Sequence, residues 1–318
     1  MKSVALVGAG RIAGVHARHL RGVGVERLTI YDADAARAAA FAEAQGATVA
    51  PTLDAAIAGS DLVAVLVPNT AHREVAERAI AAGKPTFVEK PIALSLADAE
   101  AISGLARERG VFVAVGHVVR FFPGYREAAE QVRGGEVGDV AAVRLRRGGG
   151  MPGANGVSPW YADHAKSGGV FIDLAIHDFD WLLWTCGPAV RIHARSVGAA
   201  TGQGPDHGLA TVTLASGAIA HVEATWMDPG PFRTAFEVAG SGGLIEYDSR
   251  RAVAVRTVTT AELPMGAEDD PYARQWRAIR DALAAGTPPP AGPEAATDAL
   301  RLAHAALESA RSGEPIEL

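Results

Sequence analysis

The segment FVEKPIALS, residues 87–95, carries a lysine whose type is unusual for this chain. Lysine and arginine together number 30, yet lysine occurs only as Lys2, Lys84, Lys90 and Lys166. Arginine stays protonated in proteins, whereas lysine can lose its proton when burial or neighbouring charges lower its pKa. Position 90 is therefore a candidate for proton transfer or for a compact ammonium group. The alternative is an ordinary surface lysine, and Lys90 alone does not decide between the two.

A second candidate lies in SGGVFIDLAIHDFDWL, residues 167–182, where Asp173 and His177 are four residues apart. On a helix this spacing places both side chains on one face. A carboxylate one turn from an imidazole can orient the ring, select its tautomer and stabilise its charged form. A structural hydrogen bond or a solvated helix face would use the same spacing. Metal ligation is disfavoured because no third ligand lies nearby.

The first apolar run leads into GAGRIAGVH, residues 8–16, where Gly8 and Gly10 precede Ala13 in a glycine-rich turn. Such a turn lets backbone N–H groups approach a pyrophosphate at the positive end of the following helix. Asp32 ends the second apolar run, where a carboxylate accepts hydrogen bonds from ribose hydroxyls and repels a 2′-phosphate. The pattern predicts NAD binding, with NAD preferred over NADP. Without the glycine turn, Asp32 would read as a turn or cap residue.

Two further segments follow strand-like runs: VPNTAH at residues 67–72, and Lys90 itself. Loops at the carboxyl ends of parallel strands form the ligand crevice of such a sheet. We therefore expect Lys90 at the nicotinamide end, with Glu89 setting its position and pKa. Pro91 would fix the turn, and a cis peptide bond is one way to do so.

Short β-branched runs alternate with alanine-rich helical stretches over residues 1–118, which predicts βαβ units around a parallel sheet. Asp34, Thr70 and Ser95 are candidate N-caps of three of these helices. Later runs follow one another with few helices and predict an α+β domain with a large, mainly antiparallel open sheet. These strand-like runs are 140–147, 190–197, 209–214, 218–225, 233–239 and 244–257.

The predicted organisation is a Rossmann dinucleotide-binding domain over 1–118 and a substrate-binding and oligomerisation domain over 119–318. The glycine-rich stretch 146–160 predicts a loop long enough to cover a site. The last helix, 294–312, either stays with the second domain or packs back on the first.

Composition excludes several classes of protein. The chain has 318 residues, a net charge of −6 and interspersed charges, which disfavours nucleic-acid binding. No apolar run is long enough to cross a bilayer, and no signal peptide is evident, so we expect a cytoplasmic protein. The single cysteine, Cys186, excludes an internal disulfide and fits a buried structural thiol.

Taken together, these segments resemble the Gfo/Idh/MocA family of nicotinamide-dependent oxidoreductases, which includes glucose–fructose oxidoreductase and inositol 2-dehydrogenase. The resemblance covers nearly the whole chain, and its specific part is the EKP tripeptide combined with Asp-x-x-x-His in a glycine-led helix. The sequence departs from the family at two positions. Ala13 replaces the commoner third glycine, and His117 lies where relatives often carry asparagine or another polar residue.

The resemblance implies that Lys90, Asp173 and His177 form the catalytic group of an NAD-dependent dehydrogenase acting on a sugar, inositol or related polyol. In this scheme His177 takes the hydroxyl proton, Asp173 orients His177 and Lys90 stabilises charge on the oxygen. Lys90 and His177 could also exchange these roles. No metal site is expected.

The expected binding residues fall into two sets. The cofactor set is Gly8, Gly10, Arg11, Ile12, Asp32, Pro68, Asn69, His72, Glu89 and Lys90. The substrate set is Lys90, Arg120, Tyr161, His164, Asp173 and His177, with Asn155, Trp160 and Asp163 as weaker candidates. His16 and His72 lie at helix starts near the expected cofactor, and the alternative for both is a solvated helix residue.

Two other functions use the same features. One is an NAD-dependent glycosidase or epimerase-like enzyme that retains its cofactor through a complete cycle. The other is a non-catalytic NAD-sensing regulator, against which the set of Lys90, Asp173 and His177 argues. We also expect a homodimer or homotetramer, with apolar residues of 218–225 and 233–239 buried against another subunit.

Overall fold

The computed structural model of the chain describes residues 1–150, 163–198, 206–228, 230–250 and 270–318, with the backbone alone of 254–257 and 260–261. The chain divides into two compact units. The first comprises Met1–Phe121 and Asp269–Thr297, and the second comprises Phe122–Glu268 and Asp298–Leu318. The predicted boundary at residue 118 would place Asp269–Thr297 in the second domain, but the structure places this stretch in the first unit.

The first unit is built on a six-stranded sheet in the order β3-β2-β1-β4-β5-β6, with every pair of neighbours parallel. Its strands are β1 Ser3–Val7, β2 Arg27–Tyr31, β3 Thr48–Val49, β4 Leu62–Val65, β5 Thr86–Val88 and β6 Val113–Val115. The helices between them are α1 Arg11–Gly22, α2 Ala35–Gln45, α3 Leu53–Ala58, α4 His72–Ala81 and α5 Leu96–Arg109. This strand order is that of the Rossmann fold and confirms the predicted class. The short β3 and α3 were not predicted.

Helix capping follows the sequence at two of the three expected positions. The Asp34 side chain accepts from the N–H groups of Ala36 and Arg37, and Ser95 accepts from Asp98. Thr70 is not a cap, because it lies in a 3-10 turn that precedes the start of α4.

One helix of the first unit comes from far along the chain: α9, Pro271–Ala285, which was not predicted. Its Trp276 and Ile279 are fully buried in the same core as Leu20 of α1 and Phe87 of β5. The late segment is therefore a structural part of the dinucleotide-binding unit.

The second unit contains a nine-stranded open sheet in the order β14-β13-β12-β11-β7-β10-β9-β8-β15. Its strands are β7 Val140–Gly148, β8 Ala189–Val197, β9 His207–Leu214, β10 Ile219–Thr225, β11 Arg233–Gly240, β12 Gly243–Asp248, β13 Ala254–Thr257, β14 Thr260–Ala261 and β15 Ile316–Glu317. Neighbours pair antiparallel except β7 and β10, which run parallel. The predicted large, mainly antiparallel sheet is confirmed.

Two boundaries in this unit were wrong. The run 244–257 is not one strand but the antiparallel pair β12 and β13. The predicted loop 146–160 overlaps the predicted strand 140–147 at Arg146 and Arg147, and the structure places both in β7, where they pair with β10 and β11.

The helices of the second unit are α6 Tyr125–Arg133, α7 His164–Ser167 and α8 Ile176–Cys186, with α10, Pro293–Ser312, crossing the division between the units. Across the described residues, no helix combines the length and apolar character needed to cross a membrane.

The apolar residues of β10 and β11 divide between the core and the surface. Val222 of β10 and Phe236 and Val238 of β11 are at most 3% exposed. These three side chains pack inside their own unit, whereas Ile219 of β10 is 46% exposed and accessible to a second subunit.

Candidate active site

The glycine turn between β1 and α1 has the geometry of an anion cradle. Gly8 has φ 106°, and a Cβ there would lie 2.6 Å from the Leu66 carbonyl oxygen, so only glycine fits. A Cβ on Gly10, the residue before α1, would meet no described atom within 4 Å. No described side chain caps α1, and its first turn carries no acid. Its N–H groups are thus placed to receive a phosphate, which fits a dinucleotide, with Arg11 and Ile12 as the first helical residues.

Asp32 lies just past β2 and is tied to this turn. Its Oδ2 accepts from Ala9 N at 2.8 Å, and its Oδ1 accepts from Asp34 N at 2.8 Å and from Arg37 Nη2 at 2.9 Å. Burial opposes ionisation, but these hydrogen bonds outweigh it and lower the pKa of Asp32. The carboxylate is therefore ionised beside the cradle. Arg37, its partner on α2, was not identified from the sequence.

The VPNTAH segment ends β4 at the same edge of the sheet. Asn69 is 9% exposed, and its Nδ2 donor has no partner among the described residues. A buried donor at this edge fits a cofactor that would accept from it. Pro68 immediately precedes the 3-10 turn that Asn69 begins.

His72 joins this segment to the lysine loop. Its Nδ1 lies 2.9 Å from the Pro91 carbonyl oxygen and its Nε2 lies 3.0 Å from that of Val67. The ring is 1% exposed, so the interpretation of His72 as a solvated residue is wrong. Burial lowers the pKa of His72, although both carbonyl oxygens oppose the change. His72 therefore lies between the loop after β4 and the loop after β5, with one ring nitrogen near a carbonyl oxygen of each.

Lys90 follows β5, and a cis peptide bond joins it to Pro91. Its backbone N–H donates to Glu89 Oε2 at 2.8 Å. The other lysines have ordinary structural contacts: Lys2 pairs with Glu26, Lys84 donates to two carbonyl oxygens at the end of α3, and Lys166 pairs with Asp163. Lys90 is thus the lysine that the fold places at the carboxyl end of the parallel strands.

Glu89 is held by groups from three parts of the first unit. His16 Nε2 lies 2.8 Å from Glu89 Oε1, and Trp276 Nε1 donates to His16 Nδ1 at 3.0 Å. A Cβ on Gly116 would lie 3.0 Å from the carboxylate, so the backbone of Gly116 packs directly against it. Burial raises the pKa of Glu89, but the hydrogen bond and the electrostatic interaction with His16, followed by the charge of Lys90, outweigh it, and the pKa is lowered.

His16 was expected near the cofactor, at a helix start, but not as a partner of Glu89, and the structure places it inside α1. It is 0% exposed, so the solvated interpretation is wrong here too. The signal was present, because Ala13, His16, Ala17 and Leu20 follow helical spacing and form the buried face of α1.

Asp173 and His177 lie in the second unit, on a helix that begins irregularly. Asp173 belongs to a π-helical turn, Phe171–Ala175, which continues into α8 carrying His177. Single π turns within helices occur frequently at functional sites. Asp173 is 5% exposed and His177 is half-buried.

The next residue, Asp178, anchors this helix to the sheet. Arg147 Nε donates to Asp178 Oδ2 at 2.8 Å and Arg147 Nη2 donates to Asp178 Oδ1 at 2.9 Å. Both side chains are at most 3% exposed. This bidentate pair ties α8 to β7, and it was not predicted because it joins residues 31 positions apart.

The remaining candidates are placed separately. Arg120 is 5% exposed and its Nη1 donates to the Pro290 carbonyl oxygen at 2.9 Å. His164 Nε2 lies 3.8 Å from the buried Asp206. Asp163 caps α7. Asn155, Trp160 and Tyr161 lie outside the described residues.

Cys186 is a free thiol near the end of α8. Burial raises its pKa to about 12, so it stays protonated and behaves as a structural residue, as expected.

The sheet order, the glycine turn and the ionised Asp32 define a dinucleotide-binding protein. Comparisons with known proteins refine this class. Residues 2–117 match the model of an oxidoreductase family with an NAD-binding Rossmann fold, and residues 125–246 match the model of the GFO/IDH/MocA C-terminal domain. The chain therefore belongs to the Gfo/Idh/MocA family of oxidoreductases.

Individual relatives agree over the full length. A myo-inositol dehydrogenase, Hyg17, of Streptomyces leeuwenhoekii is 35% identical, covering 98% of each chain. The crystal structure of GenD2 from gentamicin A biosynthesis, in complex with NAD, matches with a TM-score of 0.85 and 29% identity over 99% of this chain and 96% of that one. A UDP-N-acetylglucosamine 3-dehydrogenase, GnnA, from Acidithiobacillus ferrooxidans matches with a TM-score of 0.86 and 25% identity over 98% of each chain.

Proposed function

We propose that the protein is an NAD-dependent dehydrogenase that moves a hydride between the cofactor and a carbinol carbon of a sugar, inositol or related polyol. The observation that carries the proposal is the placement of Lys90. Its loop ends β5, in the sheet whose β1 leads into the glycine turn, and carboxyl ends of parallel strands share one edge. The relatives named above support the substrate class, since they act on an inositol and on an amino sugar nucleotide.

In the proposed reaction each residue has one task. The nicotinamide, when bound, supplies the hydride chemistry. His177 takes the proton of the substrate hydroxyl, Asp173 orients His177, and Lys90 stabilises the developing charge on the oxygen. In the alternative assignment, Lys90 takes the proton of the substrate hydroxyl and His177 stabilises the charge on the oxygen.

Each unit has its own proposed task. The first unit holds the cofactor through the cradle at Gly8 and Gly10, with Arg11, Ile12, Pro68, Asn69, His72 and Glu89 around it. The second contributes the substrate contacts at His164, Asp173 and His177, and Tyr161 would add another. Arg120 is proposed to reach the substrate from the first unit. Asp32 supports NAD over NADP, since its charge repels a 2′-phosphate.

The test is turnover by the purified protein and by Lys90→Arg. NAD and NADP are offered separately with inositols, aldoses, sugar acids and amino sugar nucleotides. We expect Lys90→Arg to lower kcat by about 10²-fold or more, because arginine keeps the charge but neither the compact shape nor the exchangeable proton. Lys84→Arg is the matched control, since Lys84 donates to the backbone carbonyl oxygens of Ala58 and Ser60, and it should retain activity. Equal activity of the two variants would refute the role of Lys90.

We also propose a cytoplasmic homodimer or homotetramer, which extends the expected surface from Ile219 to neighbouring strands of the second sheet. Among the described side chains of the second sheet, four large apolar ones are 41–56% exposed: Val190, Val197, Leu209 and Ile219. Such side chains at neighbouring strands can pack against a second copy. Sedimentation that shows monomer alone at micromolar concentration would exclude the oligomer.

A further inference from the structure

A buried chain of hydrogen bonds runs through the first unit to the catalytic lysine. It begins at Trp276 in α9, passes through His16 in α1 and ends on Glu89, the residue before Lys90. Trp276 and His16 are 0% exposed. The ring of His16 is further enclosed by Phe87 and Tyr272, whose centroids lie 5.1 and 5.6 Å away in edge-on contact. Nothing in the hydride chemistry itself requires these residues.

These hydrogen bonds determine which ring nitrogen of His16 carries the proton. A tryptophan indole is a donor only, so the His16 Nδ1 that receives it must present a lone pair. The ring proton then lies on Nε2, which donates to Glu89 Oε1 at 2.8 Å. Because Nδ1 is occupied by the indole N–H, the ring donates to Glu89 as a neutral imidazole.

Because His16 donates as a neutral imidazole, its hydrogen bond holds the carboxylate of Glu89 in place and leaves the negative charge uncompensated. An imidazolium would instead cancel that charge. Oε1 is committed to His16 and Oε2 to the backbone N–H of Lys90, while Gly116 closes the remaining side. Each carboxylate oxygen therefore has a fixed direction, and one of them holds the backbone of the catalytic lysine.

We propose that His16 and Trp276 are positioning residues for Lys90, acting through Glu89: they keep Glu89 ionised and immobile, and Glu89 fixes the position and charge of the lysine. This inference rests on the proposed catalytic role of Lys90. It assigns to α9 a task in the reaction, although its residues reach the lysine only through two intermediates.

The first test needs no turnover. In protein labelled with ¹⁵N-histidine, the His16 signals are assigned by their loss in His16→Gln, among 10 histidines. At neutral pH we expect an Nε2–H imidazole with an unprotonated, hydrogen-bonded Nδ1, and in Trp276→Phe we expect the hydrogen-bond shift of Nδ1 to disappear. A proton on Nδ1, or an imidazolium, in the unmodified protein would overturn the inference.

The second test asks whether His16 acts through Glu89. We expect His16→Leu and Glu89→Gln each to lower kcat by about ten- to hundred-fold, since small displacements of a catalytic group have effects of this size. KM for the polyol should change less than kcat. Combining the two substitutions should add little, because removing Glu89 removes the path by which His16 acts. His16→Gln, which retains a donor near the position of Nε2, should restore much of the rate.

Trp181→Phe is the matched control for Trp276→Phe. Trp181 is also 0% exposed, and its Nε1 donates to the Tyr125 carbonyl oxygen at 2.9 Å in the second unit. Both variants should lower the melting temperature, but Trp276→Phe should lower kcat and Trp181→Phe should leave it within about two-fold. Independent, additive losses for His16 and Glu89, or equal kcat losses in the two tryptophan variants, would overturn the inference. Inactivity of the unmodified protein on every polyol would instead refute the proposed function, and the His16 spectrum would still decide whether the positioning chain exists.

Discussion

Asp32 combines two tasks in one carboxylate. It braces the glycine turn through Ala9 and it faces the site where the adenosine ribose of a dinucleotide is expected. Its salt bridge to Arg37 adds a cation within 2.9 Å, on a side chain that is 63% exposed. We therefore expect the preference between NAD and NADP to depend on the balance between the carboxylate of Asp32 and the guanidinium of Arg37.

This balance predicts the effect of Asp32→Ser. The variant loses the charge that repels a 2′-phosphate and releases Arg37 to bind one. We expect kcat/KM for NAD to fall about ten-fold or more, from lost charge-assisted hydrogen bonds, and that for NADP to rise. The measurement is initial rates with both cofactors. Asp34→Ser is the control, because serine remains a good N-cap for α2 and the preference for NAD should persist. An unchanged ratio in Asp32→Ser would contradict the assignment.

At the scale of elements, the attachment of α8 to β7 depends on a buried ion pair. Removing one partner of such a pair leaves an uncompensated charge away from water. Arg147 and Asp178 meet in a bidentate geometry directly beside His177 in the sequence. Loss of the pair should therefore affect stability first and the orientation of His177 second.

We expect Asp178→Asn to lower the free energy of unfolding by about 3–5 kcal/mol. Urea titration followed by circular dichroism gives the value. Asp54→Asn breaks an exposed pair with Arg78 and should cost no more than about 1 kcal/mol. Arg147→Met combined with Asp178→Leu should be less destabilised than Asp178→Asn, since it leaves no unpaired charge. A cost for Asp178→Asn as small as that for Asp54→Asn would show that the pair is not important for stability.

His72 links the ends of β4 and β5, and its protonation connects this link to pH. Burial lowers the pKa of His72 in the folded state, whereas the unfolded chain takes up a proton near the ordinary value of 6.5. Below that value the unfolded state binds more protons, so the contribution of His72 to stability is lost as pH falls. Above it, both states are neutral and the contribution is constant.

The corresponding experiment compares unfolding free energies of the unmodified protein and His72→Gln between pH 5.5 and 7.5. Glutamine can donate to one carbonyl oxygen but does not titrate. The unmodified protein should lose stability more steeply toward low pH, by at most about 1.4 kcal/mol per pH unit, which is the limit for one proton. Parallel curves for the two proteins would mean that His72 does not titrate differently on folding.

The sequence predicted the elements whose signals are local. The runs of β1, β2, β4 and β5 and the caps at Asp34 and Ser95 follow from neighbouring residues alone. Helix α9 also carried a signal that was not used: Asp270 and Pro271 start it, and Trp276, Ile279 and Leu283 follow helical spacing. The contact of Trp276 with His16 could not be predicted in this way, because it joins residues 260 positions apart.

At the scale of the whole molecule, the chain leaves the first unit at Phe121 and returns to it at Asp269. The returning α9 packs on α1 and on the 3-10 turn Val118–Phe121. Trp276 and Ile279, both fully buried, complete the core begun by β1, α1 and β5. The core of the dinucleotide-binding unit is therefore complete only when α9 has packed on it.

This connectivity predicts that a fragment of residues 1–121 does not fold cooperatively. Losing a buried tryptophan and a buried isoleucine costs about 3–5 and 2–5 kcal/mol respectively, as judged from truncation to alanine, and a whole domain is stable by about 5–15 kcal/mol. Joining residues 1–121 to 270–297 through about ten glycine and serine residues should restore cooperative thermal unfolding, because the linker replaces the second unit without strain. Circular dichroism during heating distinguishes the two fragments.

Trp276→Ala in the joined fragment should abolish the gain in cooperative unfolding. A cooperative transition in the 1–121 fragment at the same temperature as in the joined one would show that α9 is an accessory of this unit, and the path from Trp276 to Lys90 would then lose its structural basis.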